Sequence, residues 1–195
     1  MSNKKLSTSE RILQAALQLM KDKGFQLVTI KEIADAANVS EMTVFRHFET
    51  KKGLLEAAVE RNTVIPSFQE TLEKDIAWDL EHDLLLFAQL YLSLMEHNES
   101  ICLLAVQERT TMPELIDLIS NNTEHLKDFI TKYFNKMQEE GKMIEVDSYT
   151  QAAIFIATLF SYFISTALWQ DKFMNISKEE FIKNSVQSFC HGILK

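Results

Sequence analysis

The fold is decided by residues 29–48, TIKEIADAANVSEMTVFRHF, which predict two short helices joined by a tight turn. Thr29 is a preferred N-cap residue, and Glu32 three positions later completes a capping-box pattern. Asn38 stands at the turn, where a left-handed backbone is needed and Asn is tolerated better than most residues. Ser40 is suited to cap the second helix. The residues of this segment therefore fix both helix starts locally.

The second helix of this segment divides into two sides. Val44 and Phe48, four positions apart, form its inner side. The side chains that point elsewhere are those of Glu41, Met42, Thr43, Phe45, Arg46 and His47. This is the helix-turn-helix pattern, whose second helix enters the major groove of DNA. An ordinary helical hairpin in a protein core would match the same short pattern, so the flanking sequence has to distinguish a DNA-binding motif from such a hairpin.

The flanking sequence predicts one helix before the hairpin and one after it. Ser7 and Glu10 form another capping box, apolar residues follow at helical spacing, and Gly24 ends the helix. After the hairpin, Thr50 is predicted to cap a helix that opens with Lys51. Three helices around the second helix of the hairpin would form a compact head. This arrangement favours the DNA-binding motif over an ordinary hairpin in a protein core.

Residues 8 to about 61 resemble the DNA-binding domain of the TetR family of bacterial transcriptional regulators. The matching segments are RILQAALQLMKDKGF from residue 11, VTIKEIADAANVS from residue 28 and TVFRHFETKKGLLEAAV from residue 43. The sequence departs from the commonest family pattern at Phe45, where Tyr is usual, and at Met42, where Gly is frequent. The resemblance implies an all-α fold: a helix-turn-helix domain over residues 1–49 and a helical regulatory and dimerisation domain over 50–195.

The predicted DNA contacts form two sets. Phosphate contacts are expected from side chains and helix starts at Thr29, Ser40, Phe45, His47 and Lys51. Contacts with base edges are expected from Met42, Thr43 and Arg46, of which Arg46 suits guanine and Met42 a thymine methyl. For His47 a purely structural role is the alternative.

The net charge of the chain is −8, which is unusual for a protein expected to bind DNA. Residues 1–60 hold nine Lys/Arg and eight Asp/Glu, whereas residues 61–195 hold eleven and twenty. A nearly neutral head on an acidic body favours docking through the head, although solubility alone would explain the same excess. Because few phosphates would be neutralised, we expect modest non-specific affinity for DNA.

The sequence contains no recognisable catalytic, cofactor-binding or metal-binding motif, so we expect neither enzyme activity nor a cofactor or metal. Cys102 and Cys190 are too few for a disulfide framework and are expected to be buried and structural. The polar N-terminus lacks the pattern of a secretory signal. A cytoplasmic location is therefore expected.

The remainder of the chain is predicted to be helical, because the whole chain contains only four Gly and two Pro and strand alternation is absent. Pro66 is predicted to mark the end of the fourth helix and the start of the body. With the head, about nine helices are expected in all. Those of the body are predicted over residues 80–97, 99–109, 113–140, 148–169 and 178–194.

Residues 148–170 carry no charge and are long enough to span a bilayer. Their polar residues and the lack of a flanking basic cluster favour instead a helix buried on two sides. Small residues recur there every four positions, which favours close packing against a second copy of the chain. The predicted dimer interface comprises Ala153, Ala157, Ser161, Ile164, Ser165 and Leu168, together with Phe181 and Phe189 of the last helix.

The aromatic side of the same helix is expected to face the interior of its own subunit. The resemblance implies an inducer pocket there, and aromatic and Met side chains suit an apolar, adaptable cavity. A filled core would have the same composition. The predicted lining residues are Phe87, Tyr91, Met95, Phe129, Tyr133, Met137, Phe155, Leu159, Tyr162 and Phe163.

The sequence as a whole therefore predicts a transcriptional regulator that responds to a ligand. The expected form is a homodimeric repressor that binds a palindromic DNA operator and is released by a small, mostly apolar or cationic effector. The alternative is a helix-turn-helix protein controlled by a protein partner, or one that organises DNA, without a small-molecule inducer.

Overall fold

The computed structural model describes residues 6–62, 65–111, 113–169, 172 and 174–193. Within these ranges it contains ten α-helices and no β-strand, which confirms the all-α prediction with one helix more than the nine or so expected. The helices are α1 Thr8–Lys23, α2 Ile30–Ala36, α3 Glu41–Phe48, α4 Lys51–Asn62, α5 Ile65–Asp75, α6 Leu80–His97, α7 Glu99–Gln107, α8 Pro113–Glu139, α9 Ser148–Trp169 and α10 Lys178–Ile193.

The chain forms two compact units. The first unit contains α1–α4, α7 and the start of α8, and the second contains α5, α6, the rest of α8, α9 and α10. The predicted boundary after residue 49 falls between α3 and α4, yet α4 packs against both α1 and α3. The first unit is therefore larger than the predicted head, and it is built from two separate stretches of sequence.

The core of the first unit joins the four N-terminal helices. Ile12, Met20, Ile33, Val44 and Leu54, at least one from each helix, are at most 1% exposed. Burying an aliphatic side chain of this size contributes about 1.5–3 kcal/mol, before the opposing entropy of ordering is counted. The predicted capping boxes at the starts of α1 and α2 are both present, so each helix also begins where its sequence indicates.

The connection between α1 and α2 is fixed by two charged side chains from elsewhere in the first unit. The backbone N–H of Phe25 donates to the carboxylate of Glu108, at 2.9 Å. The ammonium of Lys51 donates to the carbonyls of Phe25 and Val28, at 2.8 Å each. Glu108 is only 7% exposed, and its carboxylate also accepts the hydroxyl of Thr111. A buried carboxylate with these partners avoids the large penalty of an unpaired buried charge.

In the second unit α6 packs against α9 and α10 and also contacts α5. The largest of the unit's fully buried side chains are aromatic, namely Phe87, Tyr91, Phe134 and Phe155. A carboxylate also lies in this core: Asp83 is 4% exposed, and it accepts hydrogen bonds described below.

The prediction that Pro66 ends the fourth helix was wrong. Helix α4 ends at Asn62, and Pro66 is the second residue of the additional helix, α5. Proline suits the first turn of a helix, because its missing N–H would have no partner there in any case. The other body helices match their predicted ranges within two residues, except that the predicted end at Leu194 lies outside the described residues.

Helix α9 is the one described helix that is long and apolar enough to cross a membrane. Only 39% of its most apolar 18-residue window is buried. The core helix of a soluble protein passes the same test of length and composition, so this property by itself is weak support for a membrane span. The rest of this apolar window is not buried within the chain, so α9 presents an apolar surface on which another molecule could pack.

Candidate functional site

The turn that positions α3 has the predicted left-handed residue. Asn38 has a φ of 54°, and the N–H of the following Val39 donates to the carbonyl of Ala34, at 2.9 Å. Ser40 then caps α3, since its Oγ accepts the N–H of Thr43 at 3.2 Å. These local contacts fix both the direction and the first residue of α3.

Helix α3 has one buried and one exposed side. Val44 is 1% exposed, whereas Met42 is 76% and Phe45 45% exposed. Arg46 and His47 are exposed beside them. Met42 and Phe45, three positions apart, are neighbours on the helix surface. An exposed apolar pair next to an arginine is a surface suited to contacting thymine methyls and guanine edges.

The hydroxyl groups predicted to contact DNA already have partners within the protein. The hydroxyls of Ser40 and Thr43 lie 2.9 Å apart, and that of Thr29 donates to Glu32, at 2.9 Å. A hydroxyl has a single proton, so Thr29 has to exchange its present bond before it can donate to a phosphate. The DNA contacts of these three residues stay predictions.

Lys51 has a role within the protein that the sequence did not indicate. Its ammonium contacts three backbone carbonyls, those of Phe25, Gln26 and Val28, and lies 4.5 Å from the centre of the Phe25 ring. An ammonium has three protons, so these contacts use its donors. Lys51 thus positions the α1–α2 connection, and its phosphate contact stays a prediction.

Two further residues position α3 and were missed from the sequence. Arg11 on α1 donates to the carbonyl of Ala37 at the end of α2, at 3.0 Å. Gly53 on α4 lies so close to the end of α3 that an added Cβ would stand 2.8 Å from the carbonyl oxygen of Phe48. An arginine in an amphipathic helix and a glycine in a helix each carry little sequence signal for such long-range contacts.

Glu32 links the start of α2 to α1. Its carboxylate accepts from Lys23, at 2.7 Å, and from the backbone and hydroxyl of Thr29. The hydrogen bond from Lys23, followed by those from Thr29, lowers the pKa of Glu32 from 4.5 to about 2. Because the folded-state pKa is lowered, the charged carboxylate stabilises the fold above pH 4.5, and this contribution is lost as the pH falls towards about 2.

Replacing Glu32 by Gln is expected to destabilise the protein at neutral pH. It should also make the free energy of unfolding depend less on pH in the acid range. The difference between wild type and Glu32→Gln should shrink as the pH falls from 4.5 to about 2, since protonation removes the same interactions. Urea unfolding over this pH range measures the difference. If the difference in free energy of unfolding between wild type and Glu32→Gln stayed constant with pH, the charge of Glu32 would contribute nothing to stability.

The residues predicted to line the interior pocket lie mostly in the core of the second unit. All of them are buried except Phe129, which is half-buried. Phe87 lies 5.9 Å from both Tyr91 and Phe155 between ring centres. A void of about 10 Å³ borders Phe87, Phe129 and Tyr133, which is too small for an organic molecule. The lining roles of the other predicted residues stay predictions.

A cleft of about 540 Å³ opens beside this core, between α5 and α8 of the second unit. Its volume falls within the range of small-molecule sites. Of the predicted lining residues, Phe129 and Tyr133 border it. The cleft is also bordered by residues that were not predicted, namely Glu73, Ile76, Trp78, His125, Asp128 and Lys132.

The predicted dimer interface is partly available on the surface of α9. Ala157, Ser161 and Leu168 are exposed, and Ala153 and Ile164 are half-buried. Ile154, which was not predicted, is 48% exposed on the same side. We call the residues Ile154, Ala157, Ser161, Ile164 and Leu168 the α9 face.

Ser165 does not belong to the α9 face, because it is 4% exposed and buried within its own chain. On α10, Phe181 is half-buried and stacks on Tyr162, with 4.3 Å between ring centres. Phe189, also half-buried, packs against Phe155 at 5.1 Å. Both α10 rings therefore bury much of their surface inside the subunit, and their role in dimerisation stays a prediction.

The two cysteines are buried, as expected. Burial, with a smaller effect of Glu99, raises the pKa of Cys102 to about 11. Burial, with Glu81 and Asp79, raises that of Cys190 to about 11. Since the thiolate is the reactive species, both thiols are poor nucleophiles at neutral pH.

An all-helical chain that presents an exposed helix behind a left-handed turn and a serine cap has the architecture of a helix-turn-helix DNA-binding protein. The profile of bacterial regulatory proteins of the tetR family matches residues 12–58. YvkB of Bacillus subtilis, an uncharacterized HTH-type transcriptional regulator, is 31% identical over 186 residues, covering 95% of this chain and 97% of its own. The chain belongs to the TetR family and is a DNA-binding transcriptional regulator.

Two further similarities extend over nearly the whole chain. IcaR of Staphylococcus aureus, a negative transcriptional regulator of the biofilm operon icaADBC, is 24% identical over 95% of this chain and 98% of its own. A transcriptional regulator from Saccharomonospora viridis, solved in complex with choline, has a TM-score of 0.79 and 24% identity. That match covers 96% of this chain and 97% of the other. The family and these relatives are regulators, not enzymes.

Proposed function

We propose that the protein is a homodimeric, cytoplasmic repressor that binds a palindromic operator and is released by a small, mostly apolar or cationic effector. The observation that carries the DNA-binding part is the exposed side of α3, where Met42 and Arg46 stand on a helix fixed at its start by Ser40. The repressor role is supported by the similarity to IcaR, a negative regulator.

Operator recognition is proposed to divide between the two predicted sets of contacts. Arg46 donates to guanine in the major groove, and Met42 and Thr43 contact neighbouring base edges. Phosphate contacts set the register but carry no sequence information. They are proposed for Ser40, Phe45 and His47, and for Thr29 and Lys51 once each exchanges a present hydrogen bond. Two copies of α3 in a dimer would enter successive major grooves about 34–36 Å apart, which requires two half-sites related by two-fold symmetry.

Dimerisation is proposed to occur through the α9 face. This face is uncharged, and its apolar members Ile154 and Leu168 are each 48% exposed in the single chain. Small side chains at Ala157 and Ser161 between them allow a second helix to approach closely. Covering this face with its own copy gives a closed, two-fold interface.

Release from DNA is proposed to follow effector binding in the second unit, for which the cleft between α5 and α8 provides the volume. The choline complex of the structural relative supports a small-molecule effector. Such an effector must bind the DNA-competent and released states with different affinities, since equal affinity shifts no population.

Replacing Arg46 by Ala is expected to weaken operator binding by ~1–3 kcal/mol, because one base-specific donor pair is lost. The operator would be selected from random duplexes with the purified wild-type protein, and affinities measured by fluorescence anisotropy at fixed salt. Lys183→Ala on α10 is the matched control, since it removes one exposed positive charge from the second unit.

Equal operator affinity of wild type and Arg46→Ala would remove Arg46 from the base contacts. A selected operator without two-fold symmetry would overturn the dimeric arrangement. The alternative, a helix-turn-helix protein that answers to a protein partner, predicts that no small molecule raises thermal stability by mass action.

A further inference from the structure

The cleft between α5 and α8 has an aromatic wall built by Trp78 and Tyr133. Their rings stack with 5.7 Å between centres and 19° between planes, and half-buried Phe129 borders the same space. Trp78 is 40% exposed even though it is stacked. An exposed indole beside two further rings on an open cleft is the kind of surface that binds flat or cationic ligands.

The backbone holds Trp78 in a conformation that bulky residues rarely adopt. Its φ is 58°, in the left-handed region that disfavours side chains with a Cβ. The carbonyl of Trp78 accepts from the ammonium of Lys142, at 2.8 Å, and the N–H of Ala77 donates to Asp83, at 2.9 Å. Strain of this kind persists only where surrounding contacts impose it, and it is concentrated at functional sites.

Tyr133 is supported from behind by the buried carboxylate of Asp83. The Tyr133 hydroxyl donates to Asp83 Oδ2 at 2.8 Å, and Asp83 is 4% exposed. Burial, followed by Asp83, raises the pKa of Tyr133 far above its ordinary value, so the phenol remains a donor. A phenol that donates to a carboxylate is polarised towards its ring, and this polarisation makes the face of the ring more negative.

The charged side chains around the aromatic wall are predominantly acidic. Among the described residues, the cleft is bordered by the carboxylates of Glu73 and Asp128, by one ammonium, that of Lys132, and by His125. Within the described residues, neither carboxylate forms an ion pair. Neither carboxylate is therefore held in a direct ion pair, although Lys132 lies on the same cleft.

We propose that this cleft binds an organic cation with an aromatic or apolar body, its positive charge lying against Trp78 and Tyr133 and facing Glu73 and Asp128. This inference rests on the proposed function, since it names the site and the charge of the effector. A neutral ligand of the same shape would gain the apolar contacts but neither the cation–π attraction nor the attraction to the carboxylates.

The test uses two probes of equal shape that differ in charge: meta-hydroxyphenyltrimethylammonium and its neutral isostere meta-tert-butylphenol. Binding of each to the full-length protein is measured by isothermal titration calorimetry. The cation is expected to bind at least about tenfold more tightly than the isostere, a difference that one desolvated cation–π contact can supply. Equal binding of the two probes, or tighter binding of the neutral one, would overturn the proposal.

Substitutions then locate the site of binding. Trp78→Leu is expected to weaken binding of the cation by roughly tenfold while changing that of the isostere little, since leucine keeps apolar contact without a π face. Glu73→Gln and Asp128→Asn should each weaken cation binding by about threefold, as expected for partly exposed charges. Circular dichroism melts verify folding, which is expected to be retained because these side chains are exposed.

Lys132→Gln supplies a test with the opposite sign. Removing the one ammonium that borders the cleft should strengthen cation binding by about threefold, whereas an anion site would lose affinity. Lys136→Gln, one turn further along α8 and paired with Glu139 and Glu140, is the matched control and should change nothing. Weaker cation binding in Lys132→Gln would overturn the proposal.

Failure of this inference and failure of the proposed function are distinguishable in an operator-release assay. Cation binding that depends on Trp78 but leaves the operator complex intact would support the cleft and contradict its role as the effector site. Release by the cation that is unaffected by Trp78→Leu and Glu73→Gln would support an effector-controlled repressor and overturn this cleft as its site.

Discussion

If the protein dimerises as proposed, replacing Ile154 by Asp is expected to separate the two subunits and thereby to remove high-affinity operator binding. Ile154 lies at the start of the α9 face and is 48% exposed in the single chain. A two-fold interface contains every substitution twice, so this change would bring two carboxylates into an apolar surface. The cost of burying them without partners should raise the dimer dissociation constant roughly 100-fold or more.

Sedimentation equilibrium measures this dissociation constant, and anisotropy with a full operator and with a single half-site measures the consequence for DNA. The variant should bind both duplexes with the same weak affinity, because a monomer presents only one α3. Gln89→Asp, an added charge at an exposed position of α6, is the matched control. Unchanged dimerisation of Ile154→Asp would show that the α9 face is not the interface.

Replacing Glu108 by Ala is expected to have the largest effect on stability, a loss of about 3 kcal/mol. The change leaves the N–H of Phe25 without its acceptor, and it leaves the Thr111 hydroxyl with only the backbone carbonyl of residue 108 as an acceptor. For a chain of this size, a loss of that order corresponds to a fall in melting temperature of about 6–12 °C. Amide hydrogen exchange at Phe25 should accelerate more than exchange in the second unit.

Glu108→Gln is the control for this prediction, because its amide oxygen can still accept from Phe25 and its NH₂ group can donate to Thr111. It should lose only about 1 kcal/mol, the difference between a charged and a neutral hydrogen bond. If Glu108→Ala melted together with wild type, the contact between α7 and the α1–α2 connection would not stabilise the first unit.

Features determined by neighbouring residues could be predicted from the sequence. The capping boxes at Ser7 and Thr29 and the left-handed turn at Asn38 were all predicted correctly, since each depends on residues within about four positions. The division of α3 into a buried Val44 and exposed Met42 and Arg46 follows equally from helical periodicity.

Contacts between residues far apart in sequence could not be predicted in the same way. Lys51 lies 26 positions from Phe25, and Glu108 lies 83 positions from it. From sequence alone, a lysine at the start of a helix indicated a phosphate contact, and a glutamate near the end of α7 carried no signal at all. The packed state of the aromatic core and the separate cleft beside Trp78 likewise depend on tertiary packing.

Ser165 illustrates a geometric error in the prediction. The predicted row of small residues advances four positions at each step, and four residues rotate about 40° beyond a full helical turn. Between Ala153 and Ser165 the row therefore rotates by about 120°, from the edge of the surface into the core. The α9 face alternates steps of three and four, which keeps Ile154 and Leu168 on one side.

The discontinuous first unit has a practical consequence for hybrid regulators. A graft of operator specificity as one N-terminal segment would separate Phe25 and Gly24 from their neighbours Gln107 and Glu108. A stable hybrid of this protein should need three crossovers, one after α4 and one on each side of the stretch that contains α7. Single-crossover hybrids should be recovered mainly when the recipient supplies an acid at the position of Glu108.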